Sequence, residues 1–231
     1  MAGVRAIAQA TLARARRTAH PSRTVAALMR TEPISRTFGL ERGTAVDRFY
    51  IERFLAARSP LIRGRVLEIG DAAYTRQFGS AVERSDVLHA TGEGGEATIV
   101  GDLATGDGVP EDAFDCIILT QTLPFILDVR GAVANTHRAL KPGGSVLATV
   151  PGISQISRYD MDRWGDFWRF TDASARALFD VFEEVEIATD GNVGAACGFL
   201  QGVAAEELGA DVLEARDPDY QLLITIVARR A

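Results

Sequence analysis

Cysteine, histidine and lysine are nearly missing from this sequence: two, three and one copies in 231 residues. The cysteines, Cys116 and Cys197, sit in apolar stretches without ligand spacing, so neither a disulfide framework nor a thiolate metal site is expected, and a reducing, cytoplasmic setting fits. The histidines His20, His89 and His137 are scattered, which gives a metal centre no support. No apolar run approaches the roughly 20 residues that span a bilayer. There is no G-x-G-x-x-G after a strand and no Tyr-x-x-x-Lys pair, since Lys141 stands alone; both absences argue against a nicotinamide-dependent oxidoreductase.

Acidic residues are missing from one region only. Residues 1–31 carry six arginines and no acid, leaving a net charge of −12 for the rest of a chain whose total is −6. An acidic body is a poor match for nucleic acid, and no such partner is expected. The stretch "VRAIAQATLARARR" places Val4, Ile7, Ala8, Thr11, Leu12 and Ala15 on one helical face with arginines opposite. It reads as a helix packed on the body, or as a basic amphipathic helix in weak contact with an anionic membrane surface.

What is present is an alternation of short Val/Ile/Leu runs with helical or irregular links. The runs are "VLEIG" (66–70), "SDVLHA" (85–90), "ATIVGDL" (97–103), "DCIILTQT" (115–122), "GSVLATVPG" (144–152), "VFEEVEIAT" (181–189) and "YQLLITIVARR" (220–230). Continuous apolar runs predict strands buried on both faces, hence an α/β fold with a mostly parallel sheet. The final run is compatible with a strand inserted antiparallel. "AVDRFYIERFLAAR" predicts a helix before the first strand, with Asp47 near its start. In open α/β sheets ligands bind beyond the carboxyl ends of the strands. "RVLEIGDAAYTRQFG" is the first candidate for such an end, with Gly70 letting a ligand approach and a helix beginning near Tyr74.

"VLEIG", "ATIVGDL", "FDCIILTQTLPFI" and "HRALKPGGSVLATVPG", in this order and spacing, resemble the successive motifs of class I S-adenosylmethionine-dependent methyltransferases. The resemblance covers residues 62–230. It implies a Rossmann-like methyltransferase fold: a seven-stranded, mostly parallel sheet with an antiparallel last strand and helices on both faces, over 62–231. Residues 1–61 would then form an N-terminal helical or cap segment. It implies S-adenosyl-L-methionine as cofactor, with its methionine end near Glu68, Gly70 and Asp71, its adenine near Asp102 and Leu103, and Thr120, Gln121 and Thr122 along the sulfonium side. The chain departs from the pattern in two places. The later glycines of the loop are replaced within "DAAYTRQFG", and the acid expected to hold the ribose is not evident: Asp86 comes early in the second strand, His89 nearer its end, and Glu93 in the turn "TGEGGE". No helix is expected between the second and third strands.

"FGLERGTAVDRFYIERFL", "SRYDMDRWGDFWRFT" and "DPDYQLLITIVARR" are similar to a bacterial branch associated with sugar and polysaccharide biosynthesis, which implies a sugar or glycoconjugate hydroxyl as methyl acceptor. The second of these holds both tryptophans of the chain. It offers Asp160, then Asp162, as general base, and Arg158, Tyr159, Trp164 and Trp168 as a wall for a sugar ring. Core packing by the same aromatics is the competing reading. The stretch with Arg36, Phe38, Arg42, Arg48 and Tyr50 either closes over the cleft or packs as an ordinary helix. His137, inside a helix leading away from the strand ends, reads as structural. A methyltransferase-like interaction module without catalysis is the alternative, favoured by the altered loop. The sequence sets no oligomeric state.

Overall fold

The structure is a computed structural model and describes residues 30–92 and 95–231. The basic helix expected near the N-terminus, its membrane contact and Glu93 lie outside the described residues. Residues Ser35–Ala231 form one compact unit.

Seven strands make a single sheet: β1 (Arg63–Ile69), β2 (Ala81–His89), β3 (Ile99–Val100), β4 (Phe114–Thr120), β5 (Leu140–Pro151), β6 (Glu184–Asp190) and β7 (Leu223–Arg229). Their order is β3-β2-β1-β4-β5-β7-β6. β1, β2, β3, β4 and β5 pair in parallel, and β7 lies between β5 and β6, antiparallel to both. The chain builds outward from β1 to β3 and then returns to place β4 on the other side of β1. That reversal leaves a crevice at the carboxyl ends of β1 and β4.

The apolar runs form strands because both sheet faces are covered. Alternate residues of one run enter opposite cores: Ile117 and Leu119 join one, Cys116 and Ile118 the other. Each such fully buried side chain contributes roughly 1.5–3 kcal/mol. The first core is closed by α3 (Val129–Ala139) and α5 (Asp172–Leu178). α3 starts where the Asp128 carboxylate accepts from the Gly131 N–H, and α5 where Thr171 and Ser174 form a reciprocal cap. The second core is closed by α1 (Val46–Ala57), α6 (Val193–Gln201) and α7 (Ala210–Glu214). α1 buries Val46, Tyr50, Ile51 and Leu55 against that face, so this helix before β1 is part of the same compact unit. α2 (Ala73–Phe78) follows β1, and α4 (Arg158–Met161) follows β5.

β3 is shorter than the run "ATIVGDL" suggested. Pairing stops at Val100, and Asp102 turns the chain: its carboxylate accepts from the Ala104 N–H at 2.7 Å and its carbonyl from the Gly106 N–H at 2.8 Å. A side chain that bonds its own backbone competes with the strand ladder, and here it wins. Among the described residues of 90–98 there is no helix, as expected. No helix among the described residues is long and apolar enough to cross a membrane.

Candidate active site

Two confluent cavities occupy the crevice. One, of about 510 Å³, is lined by Leu88, His89, Asp102, Leu103, Gln121 and Phe167, among others. The other, of about 670 Å³, runs from the end of β1 to α1 and the segment after β5. Among the residues they share are Gly70, His89, Thr120, Gln121, Asp160 and Trp164.

The loop after β1 is held by carboxylates. Glu68 is buried, and its carboxylate accepts from the backbone N–H groups of Tyr74 (3.0 Å) and Thr75 (2.8 Å) and from the Thr75 hydroxyl (2.8 Å). Burial pushes its carboxyl up, and the three donors work against that rise. Glu96, from the β2–β3 link, accepts from the Ala72 N–H at 3.3 Å and from Arg76 at 3.0 Å. Gly70 has φ +88°, a conformation closed to most side chains, and no atom lies within 4 Å of where its Cβ would be. The backbone is therefore bare on the side where a ligand would pass.

Gln121 stands at the end of β4 with φ 49°, unusual for a residue with a side chain. Its N–H donates to the Thr149 carbonyl at 2.9 Å, which fixes the turn. Its side-chain Nε2 is buried with no hydrogen-bond partner. Strained backbone and an unmatched buried donor at one position together mark a place built for a ligand.

The segment after β5 forms the opposite wall. Asp166 and Arg169 are paired through two contacts, at 2.5 and 3.0 Å, and Asp166 also accepts from the Ser157 N–H at 3.1 Å. Burial raises the Asp166 carboxyl, but Arg169 and the Ser157 N–H outweigh it and leave it below the usual carboxylate range. The Ser157 hydroxyl donates to Asp160 Oδ2 at 2.5 Å. The Phe167 N–H donates to the Pro124 carbonyl at 2.8 Å and Trp168 Nε1 to the Ile126 carbonyl at 3.0 Å, which fasten the segment to the turn after β4. Trp164 meets His89 edge-on, ring centroids 5.8 Å apart.

A family model for the methyltransferase domain matches residues 34–189. The chain belongs to the methyltransferase domain family. Among solved structures, the methyltransferase is similar in fold to one from Haloferax volcanii in complex with the activator Trm112, with 20% identity over 80% of this chain and 92% of that one and a TM-score of 0.54. A SAM-dependent methyltransferase from Thermotoga maritima has 16% identity over 83% and 95% of the two chains and a TM-score of 0.54. The N-methyltransferase NodS from Bradyrhizobium japonicum, solved with S-adenosylhomocysteine, has 15% identity over 88% and 95% and a TM-score of 0.52. Comparison with curated proteins returns no match.

The cofactor of the methyltransferase is S-adenosylmethionine. The crevice fits it on its own evidence: the bare backbone at Gly70 and the left-handed turn at Gln121 line both cavities, with Asp102 and Leu103 at one end. The cofactor supplies the electrophilic methyl group; the protein's part is to orient it and the acceptor and to exclude water.

The structure brings together, around these cavities, Glu68, Gly70, Asp71, His89, Asp102, Leu103, Thr120, Gln121, Tyr159, Asp160 and Trp164 of the residues expected from sequence. Of these, Glu68 is turned to its own loop, and Tyr159 is 66% exposed beneath the Arg163 guanidinium. Four others stand apart. Asp86, expected at the ribose, is 1% exposed and lines neither cavity; its carboxylate accepts from Arg65 at 2.7 Å, Arg84 at 3.0 Å and the Thr98 hydroxyl at 3.1 Å. Its carboxylate is claimed there by two arginines and a hydroxyl. Asp162 and Arg158 are exposed and line neither cavity, and Trp168 spends its N–H on the Ile126 carbonyl. His137 lies on α3 with its ring against Phe182, away from the crevice.

Sequence reasoning missed Asp47 as a cavity residue. It lines the larger cavity beside Arg48, and burial pushes its carboxyl up to about 6. The sequence marked it only as an acid in a first helical turn, which is where acids commonly sit. Phe38, Leu40 and Arg48 line the same wall, so the stretch before β1 does face the cleft.

Proposed function

We propose that the methyltransferase moves the methyl group to a hydroxyl of a small acceptor, a sugar or glycoconjugate, seated in the larger cavity. The observation that carries this reading is the place of Asp160 and Trp164, which line both cavities. A carboxylate and an aromatic face thus stand where the cofactor half opens into the acceptor half. The Ser157 hydroxyl occupies Asp160 Oδ2, leaving Oδ1 to hold the acceptor hydroxyl and take its proton; bound S-adenosylmethionine would supply the methyl group, its methyl–sulfur bond breaking to leave S-adenosylhomocysteine. Trp164, held by His89, offers an apolar face to a sugar ring. The Asp166–Arg169 pair keeps the wall in shape. Asp160 is the base in this reading; Asp162, on the outer side, is not.

The test is a screen of nucleotide sugars and glycosides with S-adenosylmethionine, read by mass spectrometry for one added methyl group. Simple amines form the second class of the screen, because NodS is an N-methyltransferase. With the acceptor in hand, Asp160→Asn is expected to lower kcat roughly 10²–10⁴-fold and to leave S-adenosylhomocysteine affinity unchanged. Methylation of amines alone, or full activity in Asp160→Asn, contradicts the reading.

A further inference from the structure

The loop after β1 has used up the groups that ordinarily hold an anion. In glycine-rich cofactor loops, backbone N–H groups at the start of the following helix are left free to face a ligand. Here the Gly70 N–H donates to the Leu88 carbonyl (3.0 Å), Ala72 to Glu96 (3.3 Å), Ala73 to Asp71 (2.7 Å), and Tyr74 and Thr75 to Glu68 (3.0 and 2.8 Å). Of residues 70–75 only Asp71 keeps an N–H without a partner. A carboxylate arriving at this loop meets three carboxylates, Glu68, Asp71 and Glu96, in place of a row of donors.

S-adenosylmethionine ends in an amino acid, with an ammonium and a carboxylate on one carbon. A site for that end needs one cation and one anion close together, and the loop supplies no cation. Two arginines line the larger cavity. Arg169 is committed to Asp166 and to the carbonyls of Ser154 and Gln155. Arg48 forms no ion pair among the described residues, and neither does its neighbour Asp47. One oxygen of Asp47 accepts only the Arg48 N–H, at 2.8 Å. Both charges act on the Tyr74 phenol, at the start of the helix that follows the loop; burial, the larger effect there, drives that phenol up to about 12.

We propose that Asp47 and Arg48, side by side in the first turn of α1, hold the ammonium and the carboxylate of the cofactor's amino-acid end in place of the glycine-loop amides. The inference rests on S-adenosylmethionine as the cofactor. It explains how the chain dispenses with the later glycines: the loop is stiffened by Glu68 and Glu96 and no longer has to donate. It also explains an acid in the cavity wall that forms no ion pair among the described residues, since a bound ammonium supplies the partner. Gly70 remains necessary, because its open side leaves room for the amino-acid chain to pass to α1.

The experiment compares two ligands that differ only at that end. Affinities of S-adenosylhomocysteine and of 5′-methylthioadenosine, which lacks the amino-acid group, are measured by titration calorimetry on the full chain and on Arg48→Ala, Arg48→Lys and Asp47→Asn. Loss of a charge-assisted contact predicts a fall of roughly tenfold to a hundredfold for S-adenosylhomocysteine in Arg48→Ala. A smaller fall is expected in Asp47→Asn, partial recovery in Arg48→Lys, and no change for methylthioadenosine in any variant. Unchanged S-adenosylhomocysteine affinity in both Arg48→Ala and Asp47→Asn overturns the proposal, as does an equal loss for both ligands. Retained methylthioadenosine binding shows that a variant is folded and its adenosine half intact. If the wild-type chain binds neither ligand, the cofactor assignment fails and the proposal fails with it.

Discussion

Thr75 gives Glu68 two hydrogen bonds, one from its backbone N–H and one from its hydroxyl, both 2.8 Å long. The pair joins the end of β1 to the first turn of α2 and spans the loop that carries Gly70. It lets a loop without the later glycines keep a fixed shape.

Removing that carboxylate should loosen the loop before anything else. Glu68→Ala leaves the Tyr74 and Thr75 donors without partners in a buried place, at a cost of about 1–3 kcal/mol each where water cannot reach them. A lower melting temperature together with weaker S-adenosylhomocysteine binding is expected. A variant that melts like the wild type shows that Glu68 does not hold the loop.

Gln121 separates strain from binding. Gln121→Gly relieves the φ of 49° and should leave stability equal or higher, while the loss of Nε2 should weaken S-adenosylhomocysteine roughly tenfold. Thermal melts and calorimetry on one preparation read both quantities. Undiminished affinity would mean that the buried amide is not turned to the cofactor.

Asp86 should behave as a structural residue. Replacing it with alanine leaves Arg65 without its buried partner and should cost about 3 kcal/mol in a denaturant melt. Affinity for S-adenosylhomocysteine should stay as it was. A selective loss of affinity at unchanged stability would return Asp86 to the ribose.

Asp47 imposes a pH dependence of known sign. Its carboxyl is raised from 3.8 to about 6 in the folded chain, so the folded state holds a proton that the unfolded state releases. Stability from this group therefore falls as pH rises from about 4 to about 6, and the full penalty applies above that. Asp47→Asn should melt higher than the wild type at pH 8, by roughly 1 kcal/mol, and equally at pH 4. Identical melting at pH 8 would show that the carboxylate is not penalised.

The sheet was legible because its signal is local and redundant. Ile117, Ile118 and Leu119 read as a strand buried on both faces, and the structure sends neighbours of that run to opposite cores. The crevice itself was legible for the same reason, since it follows from where strands end. What the sequence hid depends on partners far along the chain. Asp86 looked like a ribose ligand because nothing local shows that Arg65 reaches it from β1. Glu96 crosses 24 residues to the Ala72 N–H, and Trp168 crosses 42 to the Ile126 carbonyl. The φ of Gln121 has no compositional mark, since glutamine carries no preference for that conformation. Asp47 was read as a helix-start acid because its place in the cavity wall exists only after α1 has packed beside the crevice.

Calorimetric titration of the purified chain with S-adenosylhomocysteine, with NADH as control, tests the account most directly. Saturable binding at one site for S-adenosylhomocysteine, weakened by Gln121→Ala, with no heat from NADH, is the predicted result. Absence of S-adenosylhomocysteine binding by a folded chain, or binding indifferent to Gln121, would contradict a cofactor site between Gly70 and Gln121.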